Sequence, residues 1–334
     1  MFPRSLAGFR TLALVGCLVA ILASCTGNQP SADSSGPAGS GPAGSGAAAC
    51  QAAPTVPDDL AGWGPPATAP ELTPFLIASP GQLVCGPNRV LFTVLDKDGR
   101  PAGAPDRTVA VTVFNLGRDA ATPIVTTNGA FIWAIEGERG IYTVNVDFPE
   151  SGRYGAEFTV DGGTPVRLTF DVQPSSAVIK VGDRAPASKT PTLASVGGDV
   201  TQISTDATPD PAFYQTSVDQ AIADHKPFVL VFATPKFCTS SQCGPTLDKL
   251  KPYVTKYPTV TFINVEPYKL KLVDGELQAD VDASNQLQTA PVTDEWHLFN
   301  EPTLYVVDRD GIVRANFELI FSDDELTAAL DAVK

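Results

Sequence analysis

Residues 232–245 read "FATPKFCTSSQCGP": the end of an apolar run, two cysteines, then Gly-Pro. Just before it, "PFVLVFAT" (227–234) is a continuous apolar stretch, the composition of a strand buried on both faces. Just after it, a helix is expected from about Ser240 to Tyr253. Cys238 and Cys243 therefore sit where a central strand feeds a helix. The first helical turn carries unpaired N–H groups and the positive end of the macrodipole. A thiol there has its anion stabilised and becomes a better nucleophile at neutral pH, and a second thiol within reach can resolve a mixed disulfide. The long spacing sets a condition. Neighbours on a regular helix are three or four residues apart, so a Cys238–Cys243 bridge needs a loop or a distorted first turn. Thr239, Ser240 and Ser241 suit one, because their hydroxyls compete with helical hydrogen bonds.

Outward from this stretch the pattern alternates between helix and strand. "SVDQAIADHK" has Ser217 and Gln220 at capping-box spacing. "TVTFINVE" (259–266), "PTLYVVDRDG" (302–311) and "IVRANFEL" (312–319) read as strands, and "SDDELTAALDAV" (322–333) as a helix capped by Ser322 and Glu325. This is an α/β layout. With the cysteine pair at a strand–helix junction and "EPT" at 301–303, residues 176–334 resemble the thioredoxin superfamily. "VGDRAPASKTPTL" (181–193) resembles the opening segment of its redoxin branch.

The resemblance implies a thiol–disulfide oxidoreductase in which Cys238 attacks and Cys243 resolves. It implies that Glu301-Pro302-Thr303 is the cis-proline loop facing the dithiol, so that Phe237, Pro302 and Thr303 line the substrate groove. Pro245 falls where the proline interrupting the active-site helix would fall. No cofactor is implied beyond the two sulfurs. The departures are specific. The family spacing is Cys-x2-Cys, whereas here it is Cys-x4-Cys, and a second alignment begins at Cys243-Gly244-Pro245-Thr246. Val231 stands where many thioredoxins carry a buried aspartate.

Three alternatives remain open on the residues. The domain could be a binding module whose disulfide is only structural. It could be a peroxiredoxin-like peroxidase, although Thr234 and Pro235 stand at the wrong offsets for that site. It could be a Cu(I) chaperone like the Sco proteins, with Cys238, Cys243 and His297 as a ligand set of the right softness.

Upstream, residues 72–175 change texture. "PFLIAS", "RVLFTVLD", "TVAVTVFNLG", "GAFIWAI", "GIYTVNVDF", "RYGAEFTV" and "VRLTFDV" are short β-rich runs separated by Gly, Pro, Asn and Asp. Seven such runs at close spacing point to a β-sandwich of immunoglobulin or fibronectin type. Gly152-Arg153-Tyr154 resembles the opening of a late strand in those sandwiches, with Tyr154 as a tyrosine corner. No cluster of His, Cys or carboxylates there suggests catalysis, which leaves partner binding or spacing as its role.

Residues 25–71 are rich in Ser, Gly, Pro and Ala and read as a disordered tether. Residues 1–24 carry Arg4 and Arg10, then an apolar run from Thr11 to Leu22. That run is short of the roughly 20 residues a bilayer span needs and suits a signal peptide. It ends in Leu22-Ala23-Ser24-Cys25, which resembles the bacterial lipobox. The resemblance implies that Cys25 is diacylated and holds the protein on the extracytoplasmic face of the cell membrane. Among the remaining cysteines, proximity favours Cys238 with Cys243, leaving Cys50 with Cys85 as a structural bridge. Such bridges persist outside the cytoplasm, so the implied partners are extracytoplasmic protein thiols and disulfides. The net charge of −14 argues against nucleic acid as a partner.

Overall fold

The computed structural model describes residues 50–334 apart from 58–59, 65, 67, 69 and 79–81. The signal segment, Cys25 and the Gly-rich part of the tether lie outside the described residues. The described chain is a β-rich, multidomain protein with four sheets and few helices.

The first eight strands are β1 (Leu72–Ile77), β2 (Gly86–Asp96), β3 (Val109–Asn115), β4 (Pro123–Asn128), β5 (Ala130–Ile135), β6 (Arg139–Phe148), β7 (Gly152–Val160) and β8 (Val166–Val172). They form two antiparallel sheets, β1-β2-β6-β5 and β4-β3-β7-β8. Strand periodicity explains how the sheets face each other. Val90, Phe92 and Val94 of β2 and Tyr142, Val144, Val146 and Phe148 of β6 meet Val109, Val111 and Val113 of β3 and Tyr154, Ala156 and Phe158 of β7. At the start of β7 the buried Tyr154 hydroxyl donates to the Glu150 carbonyl at 2.9 Å. The sequence pattern missed β4: "PIVTTN" is an edge strand with mostly exposed side chains, so it carries little apolar signal.

Residues 50–64, assigned to the tether by composition, include a stretch laid against this sandwich. Ser151 exchanges backbone bonds with Gln51 and Ala53, at 2.9 and 2.7 Å. Trp63 is only 7% exposed and packs edge-on to Phe114, with the Arg167 guanidinium over its ring. A single indole supplies the apolar area that the Ser/Gly/Pro composition hides.

The C-terminal half holds a mixed sheet ordered β10-β9-β13-β14, made of β9 (Phe228–Phe232), β10 (Thr261–Val265), β13 (Thr303–Val307) and β14 (Val313–Glu318). β9 runs parallel to β10 and antiparallel to β13, and every β9 side chain is buried. Val229 and Val231 face one layer, where α2 (Cys243–Lys256) and α4 (Asp323–Asp331) contribute Leu247, Leu250, Leu326 and Leu330. Phe228, Leu230 and Phe232 face the other, where α1 (Val218–Ala223) and α3 (Pro291–Glu295) contribute Val218, Ala221 and Val292, with Trp296 beside them. The 181–193 segment starts beside this sheet, where Ala185 N–H donates to the Gly311 carbonyl at 2.8 Å.

Three local readings need correction. The capping box expected at Ser217 and Gln220 does not form, because the Ser217 hydroxyl turns to the Asp219 carboxylate. The box at Ser322 and Glu325 does form. Pro245 does not interrupt α2. It lies in the first turn, where its missing N–H costs nothing, and the proline inside the helix is Pro252. A two-stranded hairpin, β11 (Leu270–Val273) with β12 (Glu276–Ala279), was also missed. Its signal was present in Asp274-Gly275, which both adopt positive φ as a two-residue hairpin turn prefers.

The two halves touch within one compact unit. The face of sheet β1-β2-β6-β5 that looks away from the sandwich core carries Leu91, Ile132, Ala134 and Ile141, and Leu319 and Ile320 pack on it. Beside that seat Arg89 bonds Glu325 through two nitrogens, at 2.7 and 3.1 Å. Burial works to raise the Glu325 carboxyl, but the Arg89 guanidinium and the bonds from Ser322 hold it below the usual range.

Candidate active site

Cys238 and Cys243 form a disulfide with Cα atoms 6.1 Å apart. The loop that the spacing demands is present. The chain turns after β9, where Phe237 N–H donates to the Thr234 carbonyl at 3.1 Å, and Ser241 adopts φ +61°. Helix α2 then starts at Cys243, three residues later than its serines suggested, so only the second cysteine is helical.

The two sulfurs occupy different surroundings. Cys243 is fully buried against Leu247 and Leu250, whereas Cys238 is half-buried. The Cys243 N–H, at the start of α2, donates to Cys238 Sγ at 3.3 Å. An N–H at a helix start favours negative charge on the atom it faces. Ser240 Oγ stands 3.2 Å from Cys238 Sγ, accepts from Gln242 N–H at 3.3 Å and donates to the Glu301 carbonyl at 3.1 Å. That carbonyl belongs to the Glu301–Pro302 peptide, which is cis. The dithiol loop and the proline loop are thus tied by one hydroxyl. Of the side chains read as a groove, Phe237 is half-buried with Lys236 Nζ 5.8 Å from its ring centre. Pro302 is buried, and Thr303 is buried with its hydroxyl donated to Asn300 O at 2.7 Å. Pro302 and Thr303 therefore back the site from inside.

Sequence reading did not single out the groups that complete these surroundings. Glu266, the residue after β10, is 8% exposed and lies one step from Thr234 across the β9–β10 ladder. It accepts from Thr205 N–H at 2.6 Å and from Thr205 Oγ1 at 2.8 Å, while its Oε2 has no hydrogen-bond partner. Burial pushes its carboxyl above the ordinary value of 4.5. Tyr268, further along the same connection, is pushed up by burial and by Glu301. Arg139, from the sandwich, donates to the Ser240 carbonyl at 3.3 Å. Glu266 was findable, since it directly follows the strand paired with the one that leads into the cysteine loop. Arg139 was not, because it lies about a hundred residues away in sequence.

His297 is exposed and adopts φ +50°. Among the described residues no three His, Cys, Asp or Glu side chains gather as a metal-holding group, so the Cys238–Cys243–His297 set is not brought together. The second bridge joins Cys50 to Cys85 across 35 residues, with Cα atoms 6.0 Å apart. No helix among the described residues is long and apolar enough to cross a membrane.

No family model and no curated protein matches this chain. One solved structure that does match is described as "Crystal structure of the Lin-41 filamin domain", at 11% identity over 30% of this chain and 93% of that one, with a TM-score of 0.20.

Proposed function

We propose that the C-terminal half is a thioredoxin-like thiol–disulfide oxidoreductase held on the extracytoplasmic face of the cell membrane through Cys25. The observation that carries this reading is the unequal exposure of the two sulfurs: Cys238 is within reach of a partner and receives a helix-start N–H, while Cys243 is enclosed. Two features support the fold reading. A parallel strand–helix–strand unit, β9-α2-β10, is joined to an antiparallel β13-β14 pair and a final helix. The cis proline peptide lies beside the dithiol loop. The order β1-β2-β6-β5 opposite β4-β3-β7-β8, with the Tyr154–Glu150 bond, supports an immunoglobulin-like sandwich.

From the oxidised form the chemistry runs as follows. A partner thiolate attacks Cys238 Sγ, forming a mixed disulfide and releasing Cys243 as thiolate. A second partner thiolate attacks the partner's own sulfur in that bond, releasing the Cys238 thiolate. The partner dithiol loses two electrons and becomes a disulfide. The Cys238–Cys243 bridge gains them, and the two partner protons pass to the released thiolates. The reverse sequence reduces a partner disulfide.

Turnover of a disulfide-containing protein by Cys238→Ser at the wild-type rate would end this reading. The reduction potential of the couple distinguishes it from a structural bridge: a catalytic couple falls between about −270 and −120 mV, and a structural one below about −300 mV. Cys25→Ser should abolish labelling by radioactive palmitate and release the protein from membranes. Retention of both would remove the anchor from the proposal.

A further inference from the structure

The sandwich bonds the cysteine loop directly and supports the proline loop through Leu319 of the C-terminal half. On one side Leu319, seated on the Leu91–Ile132–Ala134–Ile141 face, donates its N–H to the Pro302 carbonyl at 2.8 Å. On the other side Arg139, the first residue of β6, donates from Nη1 to the Ser240 carbonyl at 3.3 Å. Ser240 is the residue whose hydroxyl lies 3.2 Å from Cys238 Sγ and bonds Glu301 O. One sheet face therefore holds the proline loop through an apolar seat and the cysteine loop through a cation.

We propose that Arg139 is a positioning residue for thiol exchange at Cys238: through Ser240 it fixes the cysteine loop, and its charge favours the Cys238 thiolate. The inference rests on the reading of Cys238 as the exchanging sulfur. The chemistry is direct. A cation near a thiol favours the anion, and an arginine stays charged at every working pH. The charged and titratable groups around Cys238 are few and differ in their commitments. Lys236, on the cysteine loop, is held by Glu276 at 3.3 Å and by the Leu277 carbonyl at 2.9 Å. Glu301 lies on the proline loop and meets Tyr268. Glu266 follows β10 and is tied to Thr205. Arg139 is the cation brought in by the other half of the molecule, so the sandwich would set the reactivity of a cysteine it does not contain.

The test uses the full chain with the Cys238–Cys243 bridge reduced. Alkylation of Cys238 by iodoacetamide is followed by peptide mass across pH. For Arg139→Gln the rate at neutral pH should fall about two- to fivefold and the pH midpoint should rise. Arg139→Lys should recover most of the loss. Arg118→Gln, which removes an exposed cation bonded to Glu150, should leave the profile unchanged. In the parent the midpoint should rise with salt, and in Arg139→Gln it should respond less. Superimposable profiles for the parent and Arg139→Gln would overturn the inference. If Arg139→Gln failed to fold, a parent midpoint insensitive to salt would overturn it instead. Alkylation reads the thiol alone, so a shifted profile without disulfide turnover would retire the oxidoreductase reading and leave standing only the effect of Arg139 on the Cys238 thiol.

Discussion

The two disulfides join Cα atoms at nearly the same distance, 6.0 and 6.1 Å, but they close loops of very different length in different surroundings. Cys50–Cys85 closes a separation of 35 residues and fastens an N-terminal segment to the sandwich. Cys238–Cys243 closes a separation of 5, between a strand end and a helix start that the core already holds. Chain entropy assigns about 4 kcal/mol to the first loop and about 2 kcal/mol to the second. The bond is the same, and loop length and surroundings set what each can do. On the proposed reading the long loop is a clamp. The short loop, with Cys238 half-buried and facing a helix-start N–H, is the proposed exchange centre.

The sharpest way to break this contrast is to exchange the roles by mutation. Cys238→Ser should lower disulfide turnover at least a hundredfold, about 3 kcal/mol or more of transition-state stabilisation. Cys50→Ser with Cys85→Ser should leave turnover unchanged and cost about 4 kcal/mol in denaturant unfolding. If the double variant lost turnover and kept its stability, the assignment of roles would be inverted. A smaller effect tests the clamp alone. A Cβ on Gly155 would stand 2.1 Å from the Trp63 ring, so Gly155→Ala should unseat the indole and cost about 1–3 kcal/mol. Trp63 fluorescence should shift with it.

The sequence made the two regions legible to different degrees. Most sandwich strands announced themselves by β-branched runs between turns, because their inward side chains fill the core between the two sheets. β4 did not, since an edge strand with side chains in water needs few apolar residues. The run 227–234 revealed the central strand of the C-terminal half, and the Cys-x4-Cys spacing required the loop that is present. The start of α2 was placed early because serines compatible with a first turn instead use their hydroxyls outside it, as Ser240 does toward Glu301. The junction was illegible. Arg139 with Ser240 and Arg89 with Glu325 are contacts between halves, and no local pattern encodes them.

Both halves hold carboxyls below the ordinary range, but only the C-terminal half also buries two that are raised, and this gives the smallest effect. In the sandwich Asp96, Asp119 and Glu150 are held below the ordinary range, chiefly by hydrogen bonds from backbone amides, Thr122 and Arg118. In the C-terminal half Asp199, Asp308, Glu325 and Asp331 are likewise held low, but burial raises Glu266 and Glu318 above their ordinary 4.5. A carboxyl raised in the folded state binds its proton where the unfolded chain has lost it. Its stabilisation is full below the unfolded value and is lost as pH rises through the folded value. Stability measured upward from about pH 4.5 should therefore fall by the share these two groups hold, before levelling. The lowered carboxyls of both halves, shifted the other way, act below that window. Glu266→Gln should flatten the fall without altering the acid limb. An unchanged slope above pH 4.5 would show that Glu266 releases its proton as readily folded as unfolded, and would remove it as a proton-holding group beside the dithiol loop.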